Sequence, residues 1–527
     1  MSISAPTSEP PTAATGIAPE LSLNLTASLL DFVLENESSG TNPAAPSVSE
    51  NSLDGFLTEP VAAKALAIWF DRVPESRRPR GRQAVARALG VDIARIDGLL
   101  NEQVNAILHH PRFQKLESSL RGLRYLVGQA EGEDAVKFKV LNVTWSELAR
   151  DAERAVEFDQ SQLFRKVYTE EFGSAGGEPF GILIGDYEIR HKPSADHPTD
   201  DVAVLASISQ VAAAAFAPFV AGADSNLFGL EDFTPLERGL NLERIFDQTE
   251  YLKWRAFRDT EDSRFVGLTM PRVLMRLPYE DDGSRAEGFR FFEHVGGRDA
   301  SKYLWGNAAW AFGAVVVRAF SECGWLADIR GVHRGEMGRG LVHDLPNPSF
   351  KTERPGVARR GSTDIIITDS IERELGELGF IALSQCKDTE FAVFYGNQSL
   401  QKPKTYDRAG PTTNARMSAM LQYMLCTSRF AHYLKVLARD KIGSFAEPRE
   451  LEDLLTRWLM KYSTPDEHAS QEVKAEFPLR EGQVEVRELP GKPGSFGCIM
   501  HLLPHFQLDG LSASVRLTTE LGPSRSS

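Results

Sequence analysis

Residues 511–521 read LSASVRLTTEL, a stretch in which apolar and polar side chains alternate one by one. This period of two is typical of a β-strand with one buried face and one solvated face. The apolar positions of the predicted strand are Leu511, Ala513, Val515, Leu517 and Leu521. Residues 522–527 follow it as a short polar tail.

Two runs upstream predict strands that pair with this one. Residues 483–489 (QVEVREL) and 496–503 (FGCIMHLL) flank the segment PGKPG, whose glycines and prolines favour a tight reversal. Together the three runs predict a small antiparallel sheet whose last strand has a row of open backbone donors and acceptors. Such an edge either closes within its own domain or pairs with a strand of another chain. Assembly into a polymer is therefore the first function class to consider.

The composition is that of a large, acidic globular protein. Its 527 residues suffice for roughly two to four domains, and the hydrophobic fraction of 42% is ordinary. With 73 acidic and 59 basic residues the net charge is −14, which argues against nucleic acid as the main partner.

Cysteine usage and the absence of targeting signals indicate a cytoplasmic protein. The start of the chain lacks the basic and apolar regions of a secretory signal. The longest apolar run, 211–223, is too short to span a membrane and contains Pro218, so we expect no membrane insertion. The four cysteines lie far apart, form no metal-type pair and indicate reduced thiols: Cys323, Cys386, Cys426 and Cys498.

Residues 1–51 predict a disordered acidic tail that contains one short amphipathic helix. This region has six acidic residues, no lysine or arginine, and flanks rich in Ser, Thr, Pro, Ala and Gly. The predicted helix presents an apolar stripe formed by Leu25, Leu29, Leu30 and Val33. Because a lone helix of this length is marginal in water, it folds on a surface, either that of its own body or that of a partner.

Residues 52–128 predict a helical region with a charged linker at 74–82. One helix is predicted at 61–70, and two longer ones are able to pair as a helical hairpin. The apolar stripe of the first longer helix contains Ile93, Ile96, Leu100, Val104, Ile107 and Leu108. The second begins at Pro111, and its stripe contains Phe113, Leu116, Leu120, Leu123 and Val127. His109 and His110 lie between them without the further ligands that a metal site needs.

Residues 129–385 alternate strand and helix patterns, which predicts an α/β (α+β) body. Strands are predicted at 136–143, 180–184, 265–269, 364–368 and 380–384. Helices are predicted at 146–153, 160–170, 202–217, 303–323 and 371–378. The helix at 303–323 is apolar nearly all round and is expected to be a buried packing helix.

Residues 386–521 complete the chain's folded part and begin with a basic segment. Between 387 and 441 there are nine basic and four acidic residues, a net charge of +5 in an acidic chain. A long helix is predicted after Thr412. The basic side chains form either an ordinary solvated face or a docking surface for an acidic neighbour, with Lys402, Lys404, Arg429 and Lys435 as the candidate contacts.

The sequence lacks the motifs that carry chemistry. It contains no phosphate-binding G-x-x-x-x-G-K-[ST] loop, no H-E-x-x-H, no G-x-S-x-G and no EF-hand loop. His501 and His505 have the spacing of helical zinc ligands, but Pro504 and the strand pattern break that geometry. We therefore expect no catalytic residue, no cofactor and no metal, and a protein that is not an enzyme.

Several long blocks resemble the large subunit of the bacterial type VI secretion contractile sheath, the TssC/VipB/ImpC family. The blocks include 109–127 (HHPRFQKLESSLRGLRYLV), 157–187, 261–279, 302–313 (KYLWGNAAWAFG), 401–406 (QKPKTY), 428–445, 469–480 and 490–509. The resemblance implies a structural, phage tail-like protein that pairs with a small sheath subunit (TssB/VipA). The heterodimer then polymerises with other sheath heterodimers around the Hcp inner tube, on a membrane-anchored baseplate in the cytoplasm.

The resemblance also implies separate roles for the two ends of the chain. Terminal strands of neighbouring subunits complete a shared small sheet, and contraction drives the tube outward without nucleotide. A ClpV-type AAA+ ATPase then recognises an N-terminal helix, for which residues 25–35 are the counterpart here. The alternative is a non-contractile scaffold or effector-docking protein that reuses the same fold.

Overall fold

The computed structural model describes residues 52–75, 78–130, 136–174, 176–281, 283, 288–295, 300–331, 340–347, 361–386, 389–441, 448–466, 469–488 and 496–505. The predicted helix at 25–33 and the predicted strand at 511–521 lie outside these residues. The chain divides into two compact units, which we describe separately. The first contains Met1–Ala106 and Glu280–Phe292, and the second contains Ile107–Tyr279 and Glu293–Ser527.

The described part of the first unit is helical. Helix α1 spans Ser52–Thr58, α2 spans Ala62–Arg72 and α3 spans Arg82–Leu108, whose last two residues belong to the second unit. Nε1 of Trp69 on α2 donates to Oδ2 of Asp92 on α3 over 3.0 Å. These elements confirm the helix predicted at 61–70 and the longer helix that carries Ile93 and Ile96.

Two asparagines of α3 hold the 280–292 segment of the same unit. Oδ1 of Asn101 accepts from the Phe292 N–H over 2.9 Å, and Nδ2 of Asn105 donates to the Phe292 carbonyl over 3.0 Å. Asn105 is 6% exposed, so its amide gains these backbone partners in place of water.

A six-stranded sheet organises the second unit. Its order is β1-β2-β3-β7-β8-β6. Strands β1, β2, β3 and β7 are parallel, and β8 is antiparallel to both of its neighbours, β7 and β6. Strands β4 and β5 form a separate antiparallel pair. The strands are β1 Leu183–Ile189, β2 Phe219–Ala223, β3 Val266–Met270, β4 Val273–Leu274, β5 Trp305–Gly306, β6 Leu341–Val342, β7 Phe380–Gln385 and β8 Ala392–Phe394. Every residue of β2 and β3 is buried, as expected for parallel strands covered on both faces.

Helices cover both faces of this sheet. They are α4 Pro111–Gly128, α5 Trp145–Arg154, α6 Gln162–Phe164, α7 Asp201–Ala215, α8 Leu242–Phe246, α9 Leu252–Arg258, α10 Ala308–Cys323 and α11 Asp369–Glu377, and a π-helix, Arg165–Phe172, continues α6. Phe380 of β7 lies in the apolar cluster of α7, whereas Ile381 lies in that of α10. This alternation places one helical layer on each side of the strands and confirms the α/β class.

Helix α10 is buried along most of its length, at residues 308–319, as its apolar sequence predicts. Asn307 caps it, because Oδ1 accepts from the Ala309 N–H over 2.8 Å while Nδ2 donates to the Tyr187 carbonyl of β1 over 2.9 Å. Gly313 faces Ile184 so closely that a Cβ would overlap its side chain, so the glycine allows the helix to approach the sheet.

The C-terminal part of the second unit forms a smaller layer. It contains α12 Ala409–Ser418, α13 Leu421–Lys441, α14 Pro448–Met460, α15 Gln471–Glu476, β9 Leu479–Glu488 and β10 Phe496–Pro504. The Trp325 ring stacks on Phe430 of α13 at a centroid distance of 4.1 Å. Leu455 of α14 and Val484 of β9 lie in the same apolar cluster, so this layer has a core of its own.

The strand predicted at 136–143 is wrong. These residues belong to no strand, although Val136, Phe138 and Val140 alternate with polar residues. Their lysines bind carboxylates instead: Lys137 pairs with Glu178, and Lys139 Nζ lies 2.5 Å from Glu171 Oε1. Val136 and Phe138 pack against the apolar cluster of α10, so the alternation at these positions separates apolar contacts from ion pairs without a neighbouring strand.

The strand predicted at 364–368 is also wrong. Asp364 is anchored by Arg272, whose Nε lies 2.9 Å from Asp364 Oδ2 and whose carbonyl accepts from the Asp364 N–H over 3.1 Å. Burial raises the pKa of Asp364 to about 6, against the opposing effect of Arg272. An isolated bridge between Val273 and Thr363 is the only ladder contact beside this segment among the described residues.

Several other predicted boundaries are shifted. Strand β1 begins at residue 183 rather than 180, α10 begins at 308 rather than 303, and the helix predicted after Thr412 is two helices, α12 and α13. The break follows Ser418, because the Ala419 carbonyl accepts from the Ser399 N–H over 2.9 Å. The strands predicted at 265–269 and 380–384 and the helices predicted at 146–153, 202–217 and 371–378 are confirmed within a few residues.

Candidate assembly interface

Strands β9 and β10 form the hairpin that the sequence predicts at 483–489 and 496–503. They pair antiparallel, with Cys498 opposite Val486 and Met500 opposite Val484. Val484 and Val486 are 1% and 7% exposed and belong to the apolar cluster of α13 and α14. One face of the hairpin therefore packs against α13 and α14, and this packing fixes the position of both strands.

The outer edge of β9 is covered by the chain's own residues. The Val486 N–H donates to Glu452 Oε2 of α14 over 3.0 Å, and Leu479 forms a parallel bridge with Ser463. Glu452 was not predicted as a contact, because nothing local to residue 452 indicates a backbone partner 34 residues away. Closing this edge leaves β10 as the side on which the sheet can grow.

The outer edge of β10 pairs with no strand in the described part of the chain. The described sheet contains β10 and β9 alone, although β10 spans nine residues. Its solvent side also exposes apolar groups, since Ile499 is 43% and Leu503 is 37% exposed. These two residues were not predicted as contacts, although the alternation within 496–503 places them on one face.

The strand predicted to complete this sheet lies outside the described residues. Its apolar members are Leu511, Ala513, Val515, Leu517 and Leu521. The last described residue, His505, is buried: its N–H donates to the Pro478 carbonyl over 3.1 Å, and its carbonyl accepts from the Tyr423 hydroxyl over 3.2 Å. The chain is therefore fixed beside the hairpin just before the predicted strand, whose pairing stays a prediction.

The four basic candidate contacts divide into two pairs. Lys402 and Lys404 are exposed in the segment before α12, and Lys404 Nζ lies 4.0 Å from Glu261 Oε1. A pair at this distance between exposed side chains contributes little to stability, so both ammonium groups stay accessible to a partner.

The other two candidates face the chain's own aromatic residues. Nη2 of Arg429 donates to the Tyr433 hydroxyl over 3.1 Å, and its guanidinium carbon lies 4.8 Å from the Tyr433 ring centroid. Nζ of Lys435 lies 3.4 Å from the ring centroid of Phe172 and 4.8 Å from that of Tyr168, both on the π-helix. Both side chains are half-buried and make internal cation–π contacts, so their role as partner contacts stays a prediction.

The apolar stripe by which α4 was expected to be able to pair with α3 is largely exposed. Leu116 is 58% and Leu120 is 60% exposed, while the buried side contains Ser118, Gly122 and Leu126. Small residues form the buried side because Gly122 lies against the Trp310 ring of α10, leaving no room for a larger side chain. The side of α4 that is buried is therefore not its apolar stripe, and an apolar surface is exposed.

Two clusters of polar side chains in the second unit form internal networks. Nη2 of Arg276 lies 3.0 Å from Glu293 Oε1, Nε of Arg276 lies 2.8 Å from Glu117 Oε1, and the Tyr279 N–H donates to Glu293 over 2.9 Å. Burial alone raises the pKa of Glu293, but the bonds from Arg276 and Tyr279 outweigh it and lower the pKa. The network pairs Arg276 with two carboxylates internally, while Oε2 of Glu117 has no hydrogen-bond partner among the described residues.

A second internal network surrounds Asp201 at the start of α7. Its carboxylate accepts from Trp145 Nε1 over 2.6 Å, from the Arg190 N–H over 2.9 Å and from the Thr199 hydroxyl over 2.8 Å, and it pairs with His197 Nε2 at 2.7 Å. Asp201 is 1% exposed, and its carboxylate oxygens are occupied by these structural hydrogen bonds and the ion pair.

The described residues contain no group of three or more His, Cys, Asp or Glu side chains that could hold a metal ion. Among the same residues no helix is long and apolar enough to cross a membrane. A cavity beside Tyr423, Cys426 and His505 has a volume of about 20 Å³, the size of a water molecule.

Two protein-family models match most of the chain. Residues 91–401 match the model described as EvpB/VC_A0108, tail sheath N-terminal domain, and residues 411–521 match that described as EvpB/VC_A0108, tail sheath gpW/gp25-like domain. A curated relative, the type VI secretion system sheath protein TssC1 of Pseudomonas aeruginosa, is 43% identical over 432 residues, covering 81% of this chain and 85% of the relative.

Two solved structures resemble the chain weakly. A chain of the anti-feeding prophage baseplate aligns with a TM-score of 0.33 and 10% identity, covering 72% of this chain and 82% of that one. A chain of the PVC sheath complex, an extracellular contractile injection system in its contracted state, aligns with a TM-score of 0.29 and 12% identity, covering 59% and 67%. At these scores the superpositions carry no weight for this chain.

Proposed function

This chain belongs to the EvpB/VC_A0108 tail sheath family, the type VI secretion sheath large subunits, and on that premise we propose that it is a structural subunit that builds a contractile sheath. It pairs with a small sheath subunit, and the heterodimers polymerise around an Hcp inner tube on a baseplate. Contraction then ejects the tube. The role is one of assembly and movement, with no catalytic step assigned to any residue.

The observation that best supports assembly is the edge of β10. In the described part of the chain this nine-residue strand pairs on one side only, and its backbone is held rigid by the apolar cluster behind β9. An added strand would satisfy the outward backbone groups, each hydrogen bond contributing about 1 kcal/mol. We assign this place to the 511–521 strand of a neighbouring copy.

Joining subunits by backbone bonds suits a contractile polymer. Strand pairing depends little on side-chain identity, and a linked tail keeps subunits connected while their bodies change packing. The energy of the stroke then comes from a difference between two packings of the same subunits. No nucleotide is needed for that step.

Other partners are assigned to the remaining surfaces. The exposed Lys402 and Lys404 are the better-placed candidates for contact with the tube or the small subunit. A ClpV-type ATPase recognises the stripe of Leu25, Leu29, Leu30 and Val33 and recycles the contracted sheath. The assembled machine is cytoplasmic and involves neither nucleic acid nor insertion of this chain into a membrane.

Deletion of residues 511–527 tests the assembly role. The truncated chain is co-expressed with its small partner and examined by affinity co-purification and negative-stain electron microscopy. We expect the heterodimer to survive and tubes to be lost, because the deletion removes the linking strand and leaves β9 and β10 in place. Deletion of 522–527 alone is the matched control and should leave tubes intact. Normal tubes from the longer deletion would contradict the role assigned to the strand.

A further inference from the structure

Burial increases along β10 toward its C-terminal end. His501 and Leu503 are exposed, Pro504 is half-buried and the next residue, His505, is only 9% exposed. The end of a strand usually frays, because few contacts hold it. The opposite gradient here indicates that contacts other than the ladder with β9 hold the chain at His505.

The ladder with β9 is poor at this end of β10. Its register shifts between Leu503 and Pro504, and Pro504 has no backbone N–H to donate. A strand that is pulled away from its neighbour loses its ladder bonds one at a time, starting at the end that is pulled. Tension applied beyond residue 505 would therefore separate β10 from β9 where the ladder is weakest.

Two hydrogen bonds outside the ladder secure this end. The Tyr423 hydroxyl of α13 donates to the His505 carbonyl over 3.2 Å, and the His505 N–H donates to the Pro478 carbonyl over 3.1 Å. Tyr423 is 7% exposed, so its bond lies away from competing water. These three residues form what we call the His505 clasp. It ties the chain to a helix as well as to the residue that precedes β9.

The His505 clasp is packed into the smaller C-terminal layer. Cys426, one turn after Tyr423 on α13, is 1% exposed and lies in the same apolar cluster as Phe430 and Val484. His505, Tyr423 and Cys426 line the cavity of about 20 Å³, which has room for no more than a water molecule. This close packing leaves the backbone of His505 little room to shift.

We propose that the His505 clasp is the anchor that carries tension from the tail into the body of the subunit. The anchor rests on the proposed function, in which the strand predicted at 511–521 links the subunit to a neighbouring copy and is pulled when the copies move. Residues 506–510 span at most about 18 Å, so tension on that strand reaches His505 with little slack. Tyr423 is a positioning residue that keeps β10 paired with β9 under this tension.

Hydrogen exchange on the full-length chain tests the clasp without any tube. Tyr423→Phe keeps the aromatic ring and removes the hydroxyl donor. Loss of one hydrogen bond changes a local opening equilibrium about fivefold, so exchange of the amides in 501–505 should become about fivefold faster. The matched control is Tyr433→Phe, which removes from the same helix the hydroxyl that accepts from Arg429. It should leave these amides unchanged.

Sonication of assembled tubes tests whether the clasp carries tension. At the same dose, tubes from Tyr423→Phe should break into shorter fragments than tubes from Tyr433→Phe, with lengths measured in negative-stain electron micrographs. Each substitution removes one hydroxyl from α13. Comparable melting temperatures of the two variants therefore separate this effect from a general loss of stability.

Two outcomes would overturn the proposal. Unchanged exchange at 501–505 in Tyr423→Phe would show that the hydroxyl does not secure β10, and equal fragment lengths for the two variants would show that the clasp carries no tension. A failure of the unchanged chain to form tubes is a different result. It would contradict the proposed function and the tension with it, while the exchange measurement would still decide whether Tyr423 holds His505.

Discussion

Gly122 of α4 lies against the indole ring of Trp310 on α10, and a Cβ at residue 122 would overlap that ring. Trp310 is only 9% exposed and its Nε1 donates to Asp186 Oδ1 over 3.2 Å, so the indole is held from two sides. This contact fixes which side of α4 is buried, and it turns Leu116 and Leu120 outward.

Gly122→Ala is expected to destabilise the protein by about 1–3 kcal/mol, the usual cost of overpacking. Urea unfolding of the heterodimer or of the isolated chain measures the change. Gly98→Ala is the matched control, because Gly98 lies in the middle of α3 with no atom near its missing Cβ, and the substitution should stabilise by up to about 1 kcal/mol through helix propensity. Equal effects at both positions would show that the indole does not restrict residue 122.

Glu293→Gln is expected to destabilise the protein by roughly 3 kcal/mol, because it removes the carboxylate that partners buried Arg276. The pKa of Glu293 is lowered from 4.5, so its contribution is present above pH 4.5 and is lost as the pH falls below that value. Unfolding titrations at pH 7 and pH 4 measure both effects. Glu261→Gln, at an exposed pair with Arg264, should cost less than about 1 kcal/mol.

Because His432 is buried, we expect the protein to lose stability in mild acid. Its Nε2 lies 2.9 Å from the Ala215 carbonyl, and burial lowers its pKa from 6.5 to about 4. Below pH 6.5 the unfolded chain binds a proton that the folded chain does not, so stability falls as the pH drops from 6.5 toward 4. At pH 5 the loss is about 2 kcal/mol.

The matched variant for this effect is His432→Gln, whose amide can still donate to the Ala215 carbonyl without titrating. Between pH 7 and pH 5 it should lose about 2 kcal/mol less stability than the unchanged chain. Chemical unfolding at the two pH values measures the difference. Identical losses in the two proteins would mean that His432 is protonated in the folded state.

Substitution of Lys402 and Lys404 should impair assembly without changing the stability of the fold. Their joint substitution by Glu is expected to leave the melting temperature nearly unchanged, since both are exposed, while reducing tube formation or ejection. Lys435→Met should do the opposite, lowering stability by about 1 kcal/mol through its lost contact with the Phe172 ring. Unaltered assembly and ejection in the double variant would remove these lysines from the interface.

The sequence predicts elements whose signal is local. Helix α5 begins where Thr144 and Glu147 form a reciprocal cap, and β9 and β10 flank a glycine- and proline-rich turn. Strand β2 was missed because it continues the apolar run of α7, with Pro218 as the only break.

The features that could not be predicted depend on contacts between residues that are distant in sequence. Nothing near Lys435 indicates that its ammonium group packs on Phe172, and a count of basic residues cannot separate it from exposed Lys402. In the same way, the stripe of α4 points outward because of Gly122 and Trp310, which are 188 positions apart. Periodicity defines faces, whereas packing decides which face is buried.

The most direct measurement is a cryo-EM structure of the tubes formed with the small subunit, at a resolution that traces residues 505–521 from their own body. We expect this strand to leave its subunit and to complete the sheet of β9 and β10 in a neighbouring copy. A strand that returns to β10 of its own chain, with no backbone bonds between copies, would contradict it.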